Sequence, residues 1–316
     1  MLHESAARQE RFLQSRPHLW VVDRADGSLK IEKVTLGALM KWLFSDSSLS
    51  GYAREILARA LGLSRFVGWL SQLTLSQKWI APFIKDHQIS MNDFEIPAGG
   101  FKHFDAFFSR RLKKGARVIA QGDNIAVMPA DARYRRMNTQ DSFDLKGSHW
   151  SLNTLLGPLL TPENDLISPS TFHQPLIARL CPTDYHRFHS PVEATVGRLI
   201  EMGQKLHSVH AWSLDLVPEV LSENKRLGIE LLTPSGRWII VAIGATCVGS
   251  IELSIQSGQK LAKGQELGAF HFGGSCLVIA HENSHWQEAD DLKLLWKQHP
   301  DLEILSKMGE PMKIQS

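Results

Sequence analysis

The chain is poor in cysteine, nearly balanced in charge and without a long apolar run, and each shortage removes a class of function. Its 316 residues include three cysteines, Cys181, Cys247 and Cys276. They are odd in number, far apart and never in a CxxC pair, which argues against a disulfide framework or a thiolate zinc site and for a reducing compartment. The formal net charge is +2, whereas a general nucleic-acid binder carries a pronounced basic excess. The opening segment, MLHESAARQERFLQSR, is charged throughout and lacks the apolar core of a signal peptide. In the N-terminal third the longest uncharged stretch runs from Phe66 to Gln77, too short to cross a bilayer as a helix. The expectation is a protein with no transmembrane segment.

What remains is an ordinary globular composition, 43% apolar and 22% charged, in a chain long enough for a sizeable core. Residues from about 35 to 112 read as helical. Leu36, Leu39, Met40, Leu43 and Phe44 recur with helical spacing behind Thr35 as N-cap. GYAREILARALG stops at Gly62, and a third segment near 65–86 carries Phe66, Trp69, Leu70, Leu73, Trp79 and Ile80. A fourth places Phe104, Phe107, Phe108 and Leu112 on one face and enters a basic cluster, Arg110, Arg111, Lys113, Lys114 and Arg117. From about 125 the texture turns to short β-rich runs. GIELLT-PSG-RWIIVAIGA is a hairpin turning at Pro234-Ser235-Gly236. Strands follow near 247–255 and 277–281, glycines 258, 264 and 268 mark bends, and 284–316 reads as polar and partly helical. The expected fold is α+β, an N-terminal amphipathic helical part on a larger, mostly antiparallel β-rich part.

Three stretches collect chemistry. FHFGGSCLVIA, 270–280, strips the entrance of a buried strand of side chains and then supplies a hydroxyl, Ser275. DYHRFHSPVEA, 184–194, holds His186 and His189 three apart, a spacing that separates them in extended chain and joins them in a turn. MPADARYRR, 128–136, places Asp131 after a Pro-Ala turn. A serine needs a base to become a nucleophile, and a histidine base needs an acceptor to fix its tautomer. Asp131, one of His186 or His189, and Ser275 fit those roles.

The blocks FDAFFSRRLKKGARVI, DYHRFHSPV, ENKRLGIELLT, VAIGATCVGSIEL and KGQELGAFHFGGS, in that order across roughly 100–282, closely resemble the phosphatidylserine decarboxylase family. The resemblance implies a proenzyme that cuts itself between Gly274 and Ser275 into 1–274 and 275–316. Ser275 attacks its preceding carbonyl to form an ester, elimination follows, and hydrolysis leaves a covalent pyruvoyl group derived from Ser275. That group is the electron sink for decarboxylating phosphatidylserine to phosphatidylethanolamine. It implies that Asp131 and His189 serve self-cleavage of Ser275, and that His186 serves decarboxylation. No metal is implied. The chain departs from the family at Ala132 and Ala194, where glycine is usual, at Glu193 for aspartate, and at Cys276 for threonine or serine. A positive φ at either alanine would cost about 1 kcal/mol.

A diacyl substrate further implies peripheral attachment to the cytoplasmic face of the cell membrane. Residues 1–112 would be the docking region, 36–86 its apolar helices, and 110–117 a contact for anionic lipid, with 113–316 as the catalytic core. Partners expected are phosphatidylserine in the membrane, an anionic lipid surface, the two self-cleavage chains for each other and a second copy in a homodimer, but no nucleic acid. Two rival readings are a zinc hydrolase using His186, His189 and Asp131, and a lipid-binding homologue that never matures.

Overall fold

In a computed structural model of the chain, the apolar run after Ser275 lies inside a ten-stranded sheet. The structure describes residues 19–32, 68–137, 143–145, 148–150, 155–159, 172–205, 220–244, 251–273, 275–282 and 284–315. The helices expected at 36–44 and 51–62, and also Cys247 and Gly274, lie outside these residues. The first strands are β1 (Leu19–Asp23), β2 (Leu29–Glu32), β3 (Ile125–Val127), β4 (Ala132–Arg136), β5 (Phe143–Leu145), β6 (Ser148–Trp150), β7 (Leu176–Leu180), β8 (Arg187–His189) and β9 (Ala194–Met202). The rest are β10 (Arg226–Thr233), β11 (Gly236–Gly244), β12 (Ile251–Leu253), β13 (Lys260–Leu261), β14 (Glu266–Phe270), β15 (Ser275–His281), β16 (Trp286–Glu288), β17 (Glu303–Ser306) and β18 (Pro311–Gln315).

The large sheet has the order β13-β9-β10-β11-β15-β7-β4-β17-β1-β2, with β1 and β17 parallel and the other neighbours antiparallel. Its central strands are apolar on both faces, and alternation sends successive side chains to two different cores. Trp238, Ile240, Ala242, Leu277 and Ile279 enter one core. Ile239, Val241, Ile243, Cys276, Val278 and Ala280 enter the other. The expected hairpin forms with Thr233 opposite Gly236. A small sheet, β12-β14-β8, stands beside the large one. The fold is α+β.

Four local expectations change. The fourth helix is only α2 (Phe104–Phe108), after α1 (Ile80–His87); at its end the Ser109 N–H and hydroxyl both donate to the Asp105 carbonyl. Gly268 is no bend but a strand residue whose added Cβ would lie 2.3 Å from the Glu252 carbonyl oxygen. The C-terminal segment has a single helix, α3 (Asp290–Gln298), among three strands. Residues 19–32, counted with the helical part, form β1 and β2 at the edge of the large sheet.

A buried ionic network attaches that edge. Glu32 on β2 pairs with Arg179 at 2.9 Å and with Arg133, Arg179 also pairs with Glu303, and Arg133 with Asp184. Burial opposes the charge on Glu32, but the two guanidiniums overcome it and hold the carboxyl well below its usual range. Because the folded pKa is the lower one, Glu32 stabilises the fold above its ordinary value of 4.5 and the contribution fades as pH falls below it. Replacing one member strands its partners in a dry site. Arg179→Met is expected to cost about 3 kcal/mol in urea unfolding at neutral pH, with the deficit shrinking as acid protonates Glu32.

Candidate active site

The two histidines of DYHRFH lie on the extended segment leading into and along β8, and the extension sends their rings apart. β8 pairs with β14, and the Phe270 N–H bonds the His186 carbonyl at 2.8 Å. The chain leaving β14 passes through His271, Phe272 and Gly273 before re-entering the large sheet at Ser275 on β15. Gly273 has φ 138°, a conformation that side chains with a Cβ rarely adopt. Here the small sheet hands the chain to the large one, and the crossing brings Ser275 onto His186.

His186 and Ser275 are both fully buried. His186 Nε2 lies 2.9 Å from the Cys181 carbonyl oxygen, which only accepts, so the ring proton sits on Nε2. Nδ1 keeps its lone pair and faces Ser275 Oγ at 3.0 Å, so the hydroxyl donates to it. Burial, reinforced by the nearby Arg110 guanidinium, pushes the His186 pKa down to about 3. At physiological pH the ring is a neutral acceptor aimed at the serine. Phe108 covers one face, stacked at 3.8 Å between centroids.

His189 is bonded elsewhere. Its Nδ1–H donates to the Gly264 carbonyl at 2.9 Å, and its Nε2 accepts from the Tyr185 hydroxyl at 2.9 Å. Burial lowers the His189 pKa and raises that of Tyr185, which keeps the imidazole neutral and the phenol protonated. Asp131 accepts Arg117 Nε at 3.0 Å and the Met308 N–H at 2.8 Å. The structure thus brings Ser275 and His186 together, and bonds neither Asp131 to His189 nor His189 to Ser275. Asp131 and Tyr185 instead help line a cavity of about 320 Å³ that His186 and Ser275 do not line. Because the three side chains face different partners, they do not form the ligand set that a zinc reading needs, and no such cluster occurs among the described residues.

Two members of the basic cluster turn inward. Arg110 is buried between Phe94 and Phe107 and donates to the carbonyls of Thr183, at 2.8 Å, and Asp184, at 3.0 Å. Arg117 pairs with Asp93 and Asp131. Neither is a free surface charge, whereas Arg111, Lys113 and Lys114 of the same cluster lie nearer the surface, Arg111 and Lys113 exposed and Lys114 likewise. Arg110 follows Phe107 by three residues, a helical neighbour of the buried face, and that spacing was the available clue.

The family departures are mild in this setting. Ala132 and Ala194 are strand residues without positive φ, so the expected conformational cost does not arise. Glu193 is exposed, and Cys276 is a buried core residue whose thiol burial pushes up to about 12.

A family model for phosphatidylserine decarboxylase matches residues 104–296. The phosphatidylserine decarboxylase proenzyme of Clostridium botulinum (strain Langeland) is 32% identical over 92% of this chain and 97% of its own length. That of Chlamydia trachomatis serovar L2 is 32% identical over 92% and 95%. Phosphatidylserine decarboxylase proenzyme 3 of Schizosaccharomyces pombe is 35% identical over 92% of this chain, which spans 30% of that longer protein. Matched by the family model over most of its sheet-forming part and by full-length relatives over nearly all its residues, the chain belongs to the phosphatidylserine decarboxylase family.

Proposed function

We propose that this chain cuts itself between Gly274 and Ser275, and that the pyruvoyl group so formed from Ser275 serves the decarboxylation of phosphatidylserine to phosphatidylethanolamine and carbon dioxide. The observation that carries this reading is the buried Ser275 hydroxyl donating to the unprotonated Nδ1 of a neutral His186. In self-cleavage His186 accepts the Ser275 proton as Oγ bonds the Gly274 carbonyl carbon. The carbon–nitrogen bond breaks, and the proton passes to the departing nitrogen. Elimination of the Gly274 carboxylate, entry of water and loss of ammonia leave the ketone. A pyruvoyl group supplies a carbonyl that condenses with an amine and takes up the electron pair left by departing carbon dioxide. The residues present fit such a group: Ser275 is buried, and the base bonded to it, His186, carries no charge to repel an ammonium group.

The sequence resemblance gives the cleavage base to His189, oriented by Asp131, and keeps His186 for decarboxylation. The geometry supports His186 in both steps, since His189 would have to leave Tyr185 and Gly264 to reach Ser275. We propose that Asp131 and His189 support the site through Arg117, Met308 and Tyr185. The two chains stay together after the cut because β15 is hydrogen-bonded on one side to β11 and on the other to β7.

Membrane docking belongs to this proposal. Among the described residues no helix is long and apolar enough to cross a bilayer. Trp69, Leu75 and Trp79 are 54%, 74% and 42% exposed on the 68–79 segment, an apolar surface of the kind that enters a lipid interface. Trp69→Ser with Leu75→Ser is expected to weaken co-sedimentation with phosphatidylserine-containing vesicles severalfold without slowing maturation.

On a denaturing gel, wild-type protein should resolve into 1–274 and 275–316, the smaller fragment refusing N-terminal sequencing and reacting with hydrazine. A wild-type chain that stays whole sinks the reading. His186→Gln should slow cleavage by about a hundredfold or more, and His189→Gln should slow it less. The reverse ranking returns the base to His189.

A further inference from the structure

The approach to the scissile bond is gripped by a side chain outside the three sequence stretches that suggested the site. Asp105, in the first turn of α2, is buried. Its Oδ1 accepts the Phe272 N–H at 2.8 Å and its Oδ2 meets His271 Nδ1 at 2.8 Å. One carboxylate thus holds two successive residues of the segment that ends at Gly274, one by its backbone and one by its ring. The second nitrogen of His271, Nε2, lies 3.1 Å from Glu252 on β12. An imidazole with a carboxylate at each nitrogen makes both bonds as a donor only when doubly protonated. Phe272 meanwhile stands edge-on to Phe104 and Phe108, at 5.1 and 5.4 Å. Phe108 is the ring stacked on His186. α2 therefore grips the segment before the cut and the base beside it at once.

We infer that Asp105 and His271 are positioning residues for maturation, a clamp that holds residues 271–273 so that the following carbonyl is presented to Ser275. The inference rests on the self-cleavage reading above. The groups facing His271 are Asp105 from α2 and Glu252 from β12, and His103, the N-cap of α2, also acts on Asp105. The bond to Asp105 first, and then Glu252, raise the His271 pKa against burial. The clamp is complete at and below the ordinary histidine value and loosens as pH climbs through the raised one. His186 and His189 are shifted the other way by burial, opposite to His271.

The test is the cleavage rate of freshly synthesised full-length chain between about pH 6 and about pH 9, followed on a gel, with circular dichroism to verify folding. Wild type should slow at the alkaline end. Asp105→Asn should mature roughly tenfold more slowly at neutral pH, having lost a charge-assisted bond. His271→Gln, the milder change, should be slow and without the alkaline decline, and His271→Lys should recover much of the rate. Folded Asp105→Asn or His271→Gln protein maturing at the wild-type rate, or an alkaline decline that survives in His271→Gln, overturns the clamp while leaving self-cleavage intact. A wild-type chain that is never cut overturns both.

Discussion

The hydrogen bond from His186 Nε2–H to the Cys181 carbonyl decides what the site can do. It is a contact inside a single turn of chain, yet it chooses the tautomer, and the tautomer decides whether Ser275 meets a lone pair or a second proton. The turn is held from several sides. The Cys181 N–H bonds Asp184 at 2.7 Å, Arg133 pairs with Asp184, and Arg110 takes the carbonyls of Thr183 and Asp184. Buried ion pairs contribute little net stability relative to a well-packed apolar core. The Glu32–Arg133–Asp184 chain is better understood as fixing a geometry. It connects the edge strand β2 to the turn that aims the imidazole.

The electrostatics of this arrangement are a compromise. A general base works best with a pKa near the working pH, and His186 lies far below, at about 3. Each proton transfer to it is uphill. In exchange the ring is always in the accepting form, and its partner hydroxyl is already in contact. In the proposed self-cleavage, which each molecule would undergo once, a hydroxyl already held against the base offsets part of that cost. Arg110 serves both sides of this balance, holding the turn with its donors and opposing a charge on the ring.

The strand-level features of the fold were legible because they depend on local pattern. The hairpin at 226–244 and the buried strand after Ser275 follow from alternation and turn chemistry, and both lie where the periodicity put them. Features that depend on distant partners were not legible. β1 and β2 are held by Arg179, Arg133 and β17, none of them near in sequence. Gly268 resembles a bend in sequence, and only the approach of the Glu252 carbonyl explains it. At the site, Ser275, His186, His189 and Asp131 were all singled out, since each breaks its local pattern. The contacts among them were not, because a spacing of three residues leaves open whether two rings meet, and the extended backbone of β8 resolves it against meeting. Arg110 and Asp105 were hidden for another reason: each looks like solvated charge until the fold closes over it.

The proposed place of the cut also suits the sheets. A break inside β14 or β15 would remove ladder bonds and leave unsatisfied polar groups in a dry core. Residues 271–273 lie between the two ladders, and side chains from α2 and β12 hold His271 and Phe272 there. On the downstream side, Ser275 begins a seven-residue strand paired along both edges, so a new chain terminus there inherits a fixed position without any further folding. Upstream, among the described residues, His271 and Phe272 are held by Asp105, Glu252 and the rings of Phe104 and Phe108. The fold thus fixes one side of the proposed scissile bond in a ladder and the other through side-chain contacts, an asymmetry suited to the proposed self-cleavage followed by entry of a substrate.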